Sequence, residues 1–268
     1  MNADSSAARV SFKLPVGGGF LNASATLPGG HTTLTQLLPV IQNLENAIVA
    51  RVGEEAEQAG SPISCRAGCG ACCRQMVPVS FFEADALAHW FEALPENRRA
   101  ELERRFHSAL LALREAGVIE NLVSDGWTAD EESATRLAID YFHAGVACPF
   151  LENESCSIHP IRPLSCREYL VTSPPDLCSD PSVNQVAGVQ LPIKLSRVLF
   201  AFGQRLAQDR PGWVPVIFLM AWREGGRNPG DYVSGTGEEV LLQFLKQVTE
   251  IYPNTNENSQ PVEMPAGH

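Results

Sequence analysis

The stretch "CRAGCGACCRQ", residues 65–75, places Cys65, Cys69, Cys72 and Cys73 within nine positions of a 268-residue chain that has eight cysteines in all. The other four, Cys148, Cys156, Cys166 and Cys178, form a second block, and none stands elsewhere. A structural cysteine behaves as a small buried hydrophobe and would occur singly on a helix or strand face. Grouping of this kind asks for a shared centre. The C-x3-C-x2-C spacing lets thiolates of one turn converge at the sulfur–metal distance of about 2.3 Å that zinc or iron demands. Adjacent Cys72 and Cys73 diverge, so one of them serves a different metal or a bridging position in a polynuclear centre. All eight cysteines are candidate metal ligands.

In the second block, "CPFLENESC" (148–156) has the form of a β-hairpin turning through Asn153-Glu154, which would bring Cys148 and Cys156 to neighbouring positions at its base. "HPIRPLSC" (159–166) then carries Cys166 round through two prolines, which lower the entropy of the free loop and leave a metal less to offset. Joining the blocks closes the intervening segment 74–147 and restricts the unfolded chain as a crosslink does, so metal is expected to be part of folding. Arg66, Arg74, Arg162 and Arg167 flank the cysteines, where guanidinium groups would offset thiolate charge and donate hydrogen bonds to sulfur. His159 lies within reach of the same site. The histidines 89, 107 and 143 fall on expected helices and receive no role.

With 44% hydrophobic residues the chain can bury a real core, and its net charge of −11 repels phosphate backbones and anionic membrane surfaces. No basic patch is evident, so neither nucleic acid nor membrane is an expected partner; a metal ion or cluster is. The opening "MNADSSAARVSFKLPVGGGF" lacks a basic segment followed by an apolar one, and the longest apolar run, "WVPVIFLMAW" (213–222), is too short to span a bilayer. A cytoplasmic location is expected, where thiols stay reduced and clustered cysteines serve metals or redox chemistry more often than disulfides.

Period-two stretches in 10–27 flank Gly17-Gly18-Gly19 as in a hairpin. A helix follows from "TTLTQLL", with threonine caps and with Pro39 in the first turn or at a kink. Residues 79–94 and 96–117 predict a helical hairpin divided at Pro95 and closed by Gly117. A third helix lies within 128–145, with Thr128 and Glu131 as its capping box. Helical pattern returns at 183–209, at 213–224 despite Pro215, and at 236–252. The expected fold is mainly α, with a small irregular α+β cysteine-rich metal-binding core and a minor N-terminal β-hairpin. The expected organisation is a hairpin and helix (1–60), a cysteine-cluster domain (61–180), C-terminal helices (181–252) and a disordered tail (253–268).

"CRAGCGACC" (65–73), "CPFL" (148–151) and "CSIHPIRPLSCREY" (156–169), followed by Cys178, resemble the YkgJ-like, or CxxCxxCC, cysteine-cluster family, a zinc- or iron-chelating domain. The resemblance covers about residues 60–180. Two positions depart from the family pattern: the first gap is C-x3-C, and His159 stands where tyrosine is common. A distant relation to flagellin lysine methylases, which share a similar cysteine motif, implies that some members are enzymes.

The leading functional expectation is therefore a cytoplasmic metal-binding protein whose clustered cysteines hold an iron–sulfur cluster, a four-iron four-sulfur type among the options, or zinc, in a redox or structural role. The alternative is a cluster-dependent protein-modifying enzyme, such as a methyltransferase resembling lysine N-methylases. For that reading the only glycine-rich candidates are "GGG" (17–19) and "GTGEE" (235–239), both better explained as turns. A secreted disulfide scaffold is disfavoured by chain length and apolar content.

Overall fold

The computed structural model describes residues 7–16, 19–124, 130–207, 211–225 and 232–253. It is mainly helical, with an N-terminal hairpin and small two-stranded sheets. Strands β1 (Ala8–Val16) and β2 (Gly19–Leu27) pair antiparallel, with Phe12 opposite Ala23 and Leu14 opposite Leu21. Alternation in β1 buries Val10, Phe12 and Leu14 and leaves Arg9, Ser11 and Lys13 exposed. Gly17, Gly18, Thr128 and residues 254–268 of the expected tail lie outside the described residues.

β3 (His31–Thr33) leads into α1 (Leu34–Gln58) through a capping box: Gln36 N–H donates to Thr33 Oγ1 at 3.3 Å, and Thr33 N–H to Gln36 Oε1 at 2.9 Å. Pro39 sits inside α1, in its second turn. β4 (Pro78–Ser80) feeds α2 (Phe81–Glu92), capped by Ser80 and Glu83 in the same way. The expected helical hairpin forms, with α3 (Glu96–Glu115) starting after Pro95. Gly117 then takes a left-handed φ of 72° and redirects the chain into a short α4 (Val118–Val123). In α5 (Glu131–His143) the N-cap is Asp130, whose carboxylate accepts from Ser133 N–H at 2.7 Å, so the cap falls two residues beyond Thr128.

The cysteine-rich middle contributes β5 (Leu151–Glu152), β6 (Ser155–Cys156) and α6 (Leu164–Glu168). Helix expected from residue 183 begins only at Leu195, in α7 (Leu195–Ala207). Pro192 bars the residue before it from helical geometry, and the segment instead bridges back through Val171 and Gly188. The run 213–224 is not one helix either. Its start, β7 (Trp213–Pro215), pairs antiparallel with β4, and only α8 (Leu219–Glu224) is α-helical. A short apolar run does not distinguish strand from helix by its period, and the partner strand decided the outcome. β8 (Ser234–Thr236) pairs with β3 and leads into α9 (Gly237–Ile251), capped by Thr236 and Glu239.

Two large apolar clusters result, beside a small one of Val52, Leu170 and Leu191. One joins the hairpin to α1, α7 and α9 through residues such as Ile41, Ile48, Leu199 and Phe244. The other joins α2 to α5 with α8 through Phe91, Leu102, Phe106, Leu137 and Trp222. Helix α2 belongs to both, because Phe82 faces Phe202 edge-on in the first while Phe81 stacks on Trp222 at 4.8 Å in the second. The cysteine segment is wedged in the same way, with Leu164 in the first cluster and Phe150 and Ile158 in the second. Among the described residues no helix is long and apolar enough to cross a membrane.

Candidate metal centre

The first block is a chain of tight turns. Cys69 N–H donates to Arg66 O at 3.1 Å around Gly68, whose φ is 86°, and Cys73 N–H donates to Gly70 O at 3.0 Å at the start of a 3₁₀ turn, Ala71–Arg74. Short i to i+3 turns compress the sequence so that several thiols share one face of a small volume. The sulfur of Cys65 accepts from Val171 N–H at 3.3 Å.

The second block is docked onto the first through its backbone. Cys148 N–H donates to Cys73 O at 2.7 Å. Beyond it, β5 and β6 turn through Asn153 and Glu154, both at positive φ (50° and 58°), as the two-residue hairpin requires. The strand register pairs Cys156 with Leu151, so Cys148 is not its partner across the base; it lies a turn earlier, with its carbonyl accepting from Leu151 N–H at 2.8 Å. Arg74 clamps the hairpin to the first block by a two-pronged contact with Glu154, at 2.8 and 3.1 Å. On the other side Glu152 is held by Arg98 and Arg105 of α3.

Cys166 rides on α6, whose first N–H, that of Leu164, donates to Glu83 Oε1 at 2.7 Å. Arg167 is 4% exposed and spends its guanidinium on the chain itself: on Arg162 O (3.0 Å), Pro160 O (2.7 Å) and Asn46 Oδ1 of α1 (2.8 Å). It therefore fixes the turn that carries Cys166, and the two side chains also interact electrostatically. Cys178 is buried on a 3₁₀ turn, Pro175–Ser179, packed against the turn Ala71–Arg74.

A cavity of about 400 Å³ lies where the segments meet, and six thiols line it: Cys69, Cys72 and Cys73 from the first block, Cys148, Cys156 and Cys166 from the second. Cys65 and Cys178 do not line it. They do interact electrostatically with each other, and both with Cys69 and Cys72. Cys72 is the common element, because its charge is felt by Cys148, Cys156 and Cys166 on one side and by Cys65 and Cys178 on the other. All eight are free thiols, and among the described residues no three His, Cys, Asp or Glu side chains already stand at ligating distances from one point.

The neutral thiol is favoured at six of the eight positions. A hydrogen bond with Cys73, and then burial, push Cys72 far up; burial pushes Cys148 up to about 12 and raises Cys65, Cys156, Cys166 and Cys178. Arg162 opposes this at Cys65, Cys72, Cys156 and Cys166, the favourable field expected of a guanidinium beside a thiolate centre. A bound cation would act in the same direction and far more strongly, since a coordinating thiol is deprotonated outright. Soft donors, shared burial and a cationic neighbour fit zinc or iron. His159 also lines the cavity, but its Nε2 is engaged by Arg162. Arg66 lines the cavity as well.

Sequence reading missed Lys194, Ser196, Arg197 and Phe200, which line the cavity from a segment that carried no motif. Of the glycine-rich candidates, Gly19 begins β2, and residues 235–239 form the end of β8 and the cap of α9.

Residues 64–184 match the CxxCxxCC family model, described as "Putative zinc- or iron-chelating domain", the same family that the motifs resemble. Neither a curated protein nor a solved structure matches the chain. Over this segment, which is less than half of the chain, the sequence is thus similar to the CxxCxxCC family.

Proposed function

We propose that the two cysteine blocks jointly hold a polynuclear centre, in first place an iron–sulfur cluster and otherwise zinc. What supports this reading is the single cavity lined by six thiols from both blocks, with Cys72 under the influence of thiols on either side. A closed zinc site takes four ligands, and this one gathers more sulfur than one tetrahedral ion uses. Cys69, Cys72, Cys73, Cys148, Cys156 and Cys166 would hold the centre, Cys65 and Cys178 would extend it, and Arg162 would offset thiolate charge. An iron–sulfur centre would supply one-electron chemistry, whereas zinc would serve structure. A cytoplasmic setting, in which the thiols stay reduced, suits both.

The test is elemental analysis of anaerobically prepared protein with acid-labile sulfide measured alongside. Iron and sulfide in similar amounts, with visible charge-transfer absorbance, are expected; zinc without sulfide would assign the structural role. Neither metal bound, or unchanged metal in Cys69→Ser and Cys166→Ser, would overturn the ligand assignment.

A further inference from the structure

The thiols occupy only part of the cavity wall. Val77, Phe200 and Val216 make an apolar side, and Lys194 and Arg197 stand beside it at the start of α7. These two side chains are joined by one turn of backbone, with Arg197 N–H donating to Lys194 O at 3.2 Å. Several arginines of this acidic chain are spent on glutamates, as Arg51, Arg74, Arg98 and Arg223 are, but among the described residues neither Lys194 nor Arg197 forms an ion pair. The lining contains one carboxylate, Glu168, and both its oxygens are turned to Ser196, to its N–H (2.8 Å) and its hydroxyl. The helix end itself is already satisfied, since Leu195 N–H donates to Glu45 Oε2 at 3.2 Å. Two cations without an ion pair, though within electrostatic reach of Glu168, therefore stand beside a half-apolar space. Deeper in the same wall, Arg162 Nε is buried with no hydrogen-bond partner.

We propose that this cavity also binds a small organic anion, its oxyanion head on Lys194 and Arg197 and its apolar body along Val77, Phe200 and Val216 toward the cysteines. The volume suits such a ligand, since small-molecule sites run from about 300 Å³ and are mostly apolar with a few placed polar groups. Charge supports it too: a chain with net charge −11 that gathers Arg66, Arg162, Lys194 and Arg197 around one opening focuses anions there against its overall field. None of the side chains that would hold the anion is a cysteine proposed to hold the metal. A ligand seated there would lie beside the metal centre.

Calorimetric titration of the reduced full chain, metal-free and zinc-loaded, with phenyl phosphate, phenylacetate and benzyl alcohol tests this. Either anion should bind at least about tenfold more tightly than the neutral alcohol, as charge-assisted contacts exceed neutral ones, and Lys194→Gln/Arg197→Gln should bring the three level. The zinc content of that double variant should equal that of the parent chain. Arg197→Gln alone changes an exposed side chain and gives the same reading, in part, should the double variant fold poorly. Equal affinity for anions and alcohol in the parent chain, or unchanged anion affinity in a folded variant, would overturn the proposal. Metal content is measured separately, so a chain that binds the anion but takes up no metal would count against the metal reading alone.

Discussion

Gly70 lies so close to the hairpin of the second cysteine block that a Cβ added to it would stand 2.9 Å from the backbone oxygen of Glu154 and 2.8 Å from Leu151 Cδ1. Only a glycine lets the turn before Cys72 and Cys73 dock on the strands before Cys156. Gly70→Ala should therefore push the blocks apart, destabilising the protein by about 1–3 kcal/mol, as overpacking does, and lowering metal per chain. Urea unfolding and metal analysis of the variant check this. Parent-like values in both would show that the contact relaxes freely.

Arg167 binds two carbonyls of the 160–162 turn and the side chain of Asn46 on α1. Arg167→Met fills the volume but orphans these buried acceptors, and the cost should be about 2–4 kcal/mol. Because the turn positions Cys166, metal content should fall in parallel. A variant with lowered stability but full metal content would mean that the turn is held by its prolines.

Glu45 is fully buried, with Oε1 lacking any partner, and burial first and the Glu168 carboxyl second push its pKa from 4.5 up to about 9. The unfolded chain gives up this proton near 4.5 while the folded chain keeps it to about 9. Stability is thus greatest below the lower value and falls as pH rises between the two, by up to about 1.4 kcal/mol per pH unit for one proton. Glu45→Gln stays neutral and can still accept from Leu195 N–H. Its melting temperature should gain on the parent's as pH is raised from about 5 to about 8 across this window. Parallel melting curves would show that Glu45 is ionised in the folded state.

Cys72 couples to thiols of both blocks, whereas Cys178 faces only Cys65, Cys69 and Cys72. Cys72→Ser should lose more metal than Cys178→Ser. Removing metal from the parent chain with a chelator should lower its melting temperature, because a centre that joins two distant segments contributes its binding free energy to folding. Equal metal in the two variants, or an unmoved melting temperature, would separate Cys72 from the centre.

The chain alone determined a good deal. Eight cysteines in two blocks, the R-P-x-x-C turn and the asparagine–glutamate hairpin are local signals, and each survives folding because a few neighbouring residues fix it. The same holds for the capping boxes of α1 and α9 and for the break at Gly117. The strand Trp213–Pro215 instead depends on β4, a partner far away in sequence, so no local period could reveal it. Only the tertiary structure decided that six of the eight thiols line a single cavity and that Lys194 and Arg197 complete its rim. The physical reason is that a site is a convergence of segments: spacing tells which groups a turn can offer, and packing of the two large apolar clusters decides what those groups meet.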